Sequence, residues 1–336
     1  MKIKGLVTDR AKALIKLGDE EYLGVFSMPD LFHFTQELAK AVGAKIGKKR
    51  KKAADNLLKS NNLEDEELSK EYEQVNEIYK KYRQEIEQIN KTVHPFNEMD
   101  IWAEKQEIEK ELLHCFTRIS HAGQELGIEI ELSKAQKILK QIEPISEGVE
   151  RWIEETKVEL TELELKGKIN QEEQEWLSLY ALPYNYWKIQ LGRTTSKEVN
   201  QDLRAYYKER VSAGEIKCKS SSLDTKIPTN RLNELLQIGH KIALSFQRSS
   251  SQVEGRNGYL SFVNHGHKGF PKDRLKVLTV IHNYDIKRAD GSTPAQRLFG
   301  KEFPNLFEFL CHNVTGFKEP RKRKKAETLD SIIVQR

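Results

Sequence analysis

Cysteine is scarce in this chain, and the three present, Cys115, Cys218 and Cys311, lie far apart with no CxxC pair. Such spacing suggests neither a disulfide framework nor a zinc site, so reduced, structural thiols are expected. Long apolar runs are missing too: nothing approaches the about 18 consecutive apolar residues of a membrane span, and mean hydropathy is -0.68. The opening MKIKGLVTDR contains no secretory apolar segment. A soluble, cytoplasmic protein with no membrane partner is therefore expected. Glycine loops of the GxxxxGK[ST] and GxGxxG kinds are absent, as is the GxSxG turn, so neither a nucleotide-binding loop nor a serine-hydrolase elbow is indicated.

What is present is charge and helical periodicity. With 336 residues, 38% apolar and 32% charged, the chain can bury a core and divide into two or more units. The net charge of +5 is modest, but its clustering in KIGKKRKK (45–52) and KEPRKRKK (318–325) matters more for partners. Each run reads equally as solvated surface or as a nucleic-acid contact.

The first 44 residues read as strand, helix, loop and helix. KIKGLV ends in Leu6 and Val7, which places Asp9 at a strand end, and RAKALIKLG is helical up to Gly18. SMPDLFHFTQELAKAVG is a capped helix with Leu31, Phe34, Leu38 and Val42 on one face. Between residues 64 and 93, Leu68, Tyr72, Val75, Tyr79, Tyr82, Ile86, Ile89 and Val93 form a heptad seam. A second seam, Ile101, Ile108, Leu112, Cys115, Ile119, Ala122 and Leu126, follows the breaker TVHPFNEMD. The short turn favours an antiparallel hairpin within one chain; the alternative is a coiled coil joining two chains as a homodimer. Further helices are expected with Ser133 as cap, over 149–165, and from the Asn170/Glu173 capping box to Pro183. Residues 212–228 read as a linker, and NRLNELLQIGHKIALSFQRSS as a helix. KDRLKVLTVIHNY is amphipathic, DGSTPAQRLFG is a helix with Thr293 as cap, Pro294 first and Gly300 as stop, and FPNLFEFLCHNV is a last short helix.

Chemistry-bearing groups are few. His265, His267 and His282 stand near no cysteine or carboxylate at ligand spacing, which argues against a metal there. The remaining candidates are Asp9 and Glu254, two carboxylates far apart in sequence. Hard Mg²⁺ accepts oxygen ligands that converge from different elements.

Several segments carry a resemblance: VTDRAKALIKL with PDLFHF about twenty residues on, LPYNYWKIQLGRT, SSSQVEGRNGYLSFVNHGHKGF, LTVIHNY and RADGSTPAQRLFG. In this order they resemble bacterial insertion-sequence transposases of the DDE type, most closely a cyanobacterial group, over nearly the whole chain. The resemblance implies an α/β, mostly helical fold: an incomplete ribonuclease-H-like core interrupted by a long all-helical insertion with an antiparallel hairpin. Residues 1–44 would be one part of the core, 45–230 the insertion, 231–316 the rest of the core and 317–336 a basic tail. By the same resemblance Asp9 is the second acid and Glu254 the third, both ligands to Mg²⁺ or Mn²⁺ for nicking and strand transfer on DNA. Arg256, Asn257, Lys268 and Lys272 would contact DNA. Trp187 would support the site, although composition alone points to core packing. The family's first Asp lies upstream of the segment matched here, and eight residues precede Asp9. The chain is thus expected to be an N-terminally truncated transposase whose activity is in doubt. The rival expectation is a non-catalytic DNA-binding or assembly protein that dimerises through its heptads.

Overall fold

Gly5–Thr8 forms strand β1, as KIKGLV predicts, and pairs in parallel with a second strand, β2 (Phe26–Pro29), in the register Gly5 to Phe26 and Thr8 to Pro29. Sequence reading expects a loop there because FSMP is short and ends in proline. Pro29 is tolerated as the last strand residue, where the missing N–H interrupts little of the ladder. The computed structural model describes residues 5–8, 24–60, 66–197, 200–221, 227–249, 272–287 and 291–313. Helices dominate these residues, and β1–β2 is the one sheet among them. None of the described helices is long and apolar enough to cross a membrane. The chain divides into two compact units, Lys2–Glu254 and Gly255–Arg336.

In the first unit, Asp30 caps α1 (Leu31–Leu38) by accepting from Phe32 N–H at 2.8 Å. A π-helical segment, Ala39–Gly43, leads without a break into α2 (Ala44–Lys59). Leu31, Phe34, Leu38 and Val42 are all buried, as their spacing predicts. Gly43 is where α3 (Glu66–Thr92) comes closest: a Cβ there would lie 2.3 Å from Tyr82 Oη.

The two heptad seams meet each other within the chain. Val75, Tyr82, Ile89 and Val93 are buried with Ile108, Leu112, Cys115 and Ile119 of α4 (Lys105–Gln124). Cross-links Lys81–Glu125 and Glu85–Arg118 run in opposite sequence order, which fixes the pair as antiparallel. A second copy is not needed to cover these seams. Ile101 departs from its seam and is exposed, because the chain there is still in the breaker, where Phe96 stacks on Trp102 at 4.7 Å.

Several boundaries differ from those expected. Helix α5 (Leu132–Leu139) starts before Ser133, which therefore sits inside its first turn and does not cap it. Helix α6 begins at Ile142 and runs to Leu165, with Pro144 in its first turn, where no N–H is required. The Asn170/Glu173 box forms at the start of α7 (Gln171–Trp176), with bonds of 2.8 and 3.0 Å. Pro183 does not end the helical run. A π-helical segment, Leu177–Ala181, widens the turn, Leu182 N–H bonds back to Leu177 O, and Pro183 falls in the first turn of α8 (Leu182–Arg193). Much of the expected linker is helical, since α9 spans Gln201–Ser220. Its glycine serves packing: a Cβ on Gly214 would lie 3.2 Å from Tyr184 Cβ of α8. Helix α10 (Thr229–Leu244) buries Leu235, Ile242 and Ala243 and leaves Leu244 exposed.

The second unit contains α11 (Lys272–Tyr284), α12 (Pro294–Phe299) and α13 (Leu306–Asn313). Thr293 caps α12 in a box with Gln296, and Gly300 closes it at φ 63°, as DGSTPAQRLFG predicts. Leu275 of the predicted apolar stripe on α11 is exposed.

Candidate functional site at the carboxyl end of the strand pair

Parallel strands deliver their carboxyl ends to the same edge, and in open α/β sheets that edge is where ligands bind. Here Thr8 and Pro29 end together. Asp30 N–H donates to Thr8 O at 2.8 Å, and the next amide, Leu31 N–H, donates to Arg248 O at 2.9 Å. Two adjacent amides at the start of α1 thus tie together the residue before Asp9 and the segment that leads, six residues on, to Glu254. The Asp30 carboxylate is buried and engaged with Phe32 N–H and, at 3.4 Å, with the His33 ring.

Arg248 is fixed as firmly by its side chain. Its Nη1 donates to Asn90 O at 2.7 Å and Val93 O at 3.3 Å, carbonyls at the end of α3 that the helix itself leaves without partners. A cation there also complements the negative end of the helix dipole. Its Nη2 donates to Tyr207 Oη at 2.9 Å. His94 sits within this group: Nε2 lies 3.3 Å from Arg248 Nη1 and 3.2 Å from Tyr207 Oη, and Nδ1 lies 2.5 Å from Tyr186 Oη. Burial first, and the Arg248 charge second, hold the His94 imidazole well below its ordinary range. Burial likewise pushes the Tyr186 phenol up. This cluster is a clamp on the chain at Arg248, and within it His94, Tyr186 and Tyr207 are fully buried and have no surface from which to meet a substrate.

Two clefts flank the strand ends. One, of about 420 Å³, is lined by Leu31, Thr35, Asn90 and three charged residues, Arg83, Glu87 and Arg248. The other, of about 500 Å³, lies against the strands and is largely apolar, with Leu6, Phe26, Met28, Trp152 and Phe246 in its lining.

Of the residues singled out from sequence, Asp9, Glu254, Arg256, Asn257 and Lys268 lie outside the described residues, as do His265 and His267. Lys272 is the first residue of α11, and its side chain is not among those described. Trp187 is fully buried in the first unit. Its Nε1–H donates to Asp100 Oδ1 at 2.8 Å, and Lys217 binds the other carboxylate oxygen at 2.5 Å. The Trp187 ring packs edge-on to His94 at 4.8 Å and stacks over Tyr207. It therefore braces the clamp and lines neither cleft. Among the described residues no group of three or more His, Cys, Asp or Glu could hold a metal ion.

Sequence reasoning missed Asp30, His94, Tyr207 and Arg248. Asp30 was legible as a helix cap, but its position at a strand end depended on recognising β2. His94 and Tyr207 are 113 positions apart, and no local pattern links them.

Residues 177–326 match the profile of a family of unknown function, DUF6399. The match takes in Trp187, Arg248 and Glu254 and leaves out the strand pair and the hairpin; it covers less than half of the chain. No curated protein and no solved structure matches the chain.

Proposed function

We propose that the chain acts on DNA as part of a DDE-type transposase, with Asp9 and Glu254 as its metal-holding acids in a ribonuclease-H-like core. One observation carries this reading: Thr8 and Arg248 are hydrogen-bonded to the consecutive residues Asp30 and Leu31 at the carboxyl end of a parallel strand pair. Asp9 is covalently next to Thr8. The six residues from Arg248 to Glu254 reach at most about 20 Å when extended. On this reading the two acids would meet at that edge, where open α/β sheets bind their ligands.

Two carboxylates form a hard oxygen donor set, which suits Mg²⁺ or Mn²⁺. Asp9 and Glu254 would hold such an ion, and when bound it supplies Lewis-acid polarisation of a phosphodiester and an activated water. Asp30 is tied up in its own cap and is no substitute for either acid. Arg248 would position the Glu254 segment, and Arg83, which lines the same cleft as Arg248 and Glu87, would contact a phosphate group.

Nicking of a supercoiled plasmid that carries the DNA flanking the gene tests the reading. Mg²⁺-dependent nicking that is lost in Asp9→Ala and in Glu254→Ala is expected. DNA binding with a steep salt dependence but no nicking would favour a non-catalytic DNA-binding protein. Absence of DNA affinity at physiological salt would overturn both readings.

A further inference from the structure

The run KIGKKRKK lies on α2, and the helix sorts its cations by face. Ile46 and Ala53 are buried, and Arg50, on the same side, places its guanidinium 4.7 Å from the Tyr79 ring centroid. Along one flank of the helix, Lys45, Lys48, Lys49 and Lys52 are all exposed and follow the i, i+3, i+4, i+7 spacing of one helical stripe. We propose that this stripe is a docking surface for the phosphate backbone of duplex DNA; the proposal rests on the reading that the chain acts on DNA.

The stripe differs from the rest of the surface in its lack of acids. Lys70, Lys166 and Lys219 each pair with a glutamate four residues earlier. From Glu37 to Asp55, by contrast, the sequence contains seven lysines and arginines and no acid between. Among the described residues none of the four stripe lysines forms an ion pair. Glu131, whose carboxyl feels Lys45, is already bonded to Lys134. Like charges one turn apart cost a helix about 0.2–0.5 kcal/mol per pair, so the stripe carries a repulsion that an anionic partner would relieve.

The chemistry of the face narrows the partner. A membrane-surface helix needs an exposed apolar face beside its cations, and the apolar face of α2 is covered by the core. Lys45 to Lys52 spans about 10 Å along the helix, about three steps of about 3.4 Å of duplex axis, which take in four consecutive phosphates of one strand. The α1–π–α2 run begins at Asp30. At about 1.5 Å per residue the stripe lies roughly 20–30 Å from the strand ends, so it holds DNA without touching the reacting bond.

The test compares the full-length chain with the quadruple variant Lys45→Gln, Lys48→Gln, Lys49→Gln, Lys52→Gln, binding a duplex of about 40 base pairs over a salt series. Four lost phosphate contacts should lower the slope of log affinity against log salt by about 3–4 and weaken binding at about 0.15 M salt by roughly 100- to 1000-fold. The melting temperature should hold or rise, since exposed like charges are removed. A control variant, Lys70→Gln, Lys80→Gln, Lys166→Gln, Lys219→Gln, should change the slope by less than about one. If the wild-type chain binds DNA and the stripe variant keeps its slope within about one unit, the docking assignment is wrong. It is equally wrong if the variant loses affinity only for phosphatidylserine vesicles. If the wild-type chain does not bind duplex DNA, the functional reading fails and the stripe assignment falls with it.

Discussion

Replacing Arg248 with methionine keeps most of the side-chain volume and removes every side-chain donor that residue 248 gives the clamp. Asn90 O, Val93 O and Tyr207 Oη lose their guanidinium partner, and His94 Nε2 loses one of its two neighbours. Hydrogen bonds from a charged donor contribute about 1.5–3 kcal/mol each, and the loss of two good ones would suggest roughly 3–6 kcal/mol. The mutant also escapes the cost of burying a guanidinium, so a net destabilisation of about 3 kcal/mol is the working figure. Tryptophan fluorescence during urea unfolding reports on the right unit, because Trp102, Trp152, Trp176 and Trp187 all lie within Lys2–Glu254. With a slope of about 3 kcal/mol per molar, the midpoint should fall by about 1 M. Arg248→Lys, which restores the charge without the fork, should recover part of the loss. A midpoint for Arg248→Met within about 0.3 M of wild type would refute the clamp, and with it the argument that the chain is pinned before Glu254.

The buried neutral His94 makes a pH prediction. Its folded-state pKa lies below the unfolded value, so between the two the unfolded state binds more protons. Stability should therefore fall as pH drops below about 6.5, by up to about 1.4 kcal/mol per pH unit. In thermal melts from pH 7.5 to 5, His94→Asn should flatten that slope. Thiol chemistry should find one fast cysteine in the native protein: Cys311 is exposed, whereas Cys115 and Cys218 are buried. Burial, reinforced by Glu85 and Glu111, pushes the Cys115 thiol up to about 12. A disulfide-reagent titration should therefore count about one thiol before denaturation and three after. Arg231 bonds both oxygens of the buried Glu173 carboxylate, so Arg231→Ala should cost about 2 kcal/mol in chemical denaturation. Glu173→Gln on that background should recover part of it, because the stranded charge is then gone.

The parts of the fold that one helix or one turn encodes were legible before the structure. The heptad spacing of α3 and α4, the Asn170/Glu173 box and the Thr293–Gly300 helix each express a periodicity or a cap within a few residues. The misread parts depend on distant packing. Residues 212–220 look like a linker because of Gly214 and the serines, which are weaker helix formers, yet Gly214 lets α9 close onto Tyr184 and tertiary contact overrides propensity. Pro183 should have stopped a helix, and it did not because a π-helical segment absorbs the missing donor just before it. Strand β2 is four residues long and needs β1 as a partner. A strand that short carries too little alternation to be seen alone.

The candidate site divides along the same line. Asp9 and Glu254 were reached through ordered motifs, which identify a residue without saying what holds it in place. The clamp fixes the chain at Arg248, and its members come from the end of α3, from α8, from α9 and from the segment after α10, with no shared local signal. Its chemistry also explains why an arginine stands at 248. The last carbonyls of α3 are partly covered by packing and need a donor there. A lysine, as a point charge, could not bridge Asn90 O and Tyr207 Oη at once, whereas the planar fork does so from two nitrogens. The backbone carbonyl of the same residue then accepts from Leu31. One residue thereby joins the end of the long hairpin arm to the carboxyl edge of the strand pair, which ties the chain at position 248 to the packing of the helical block.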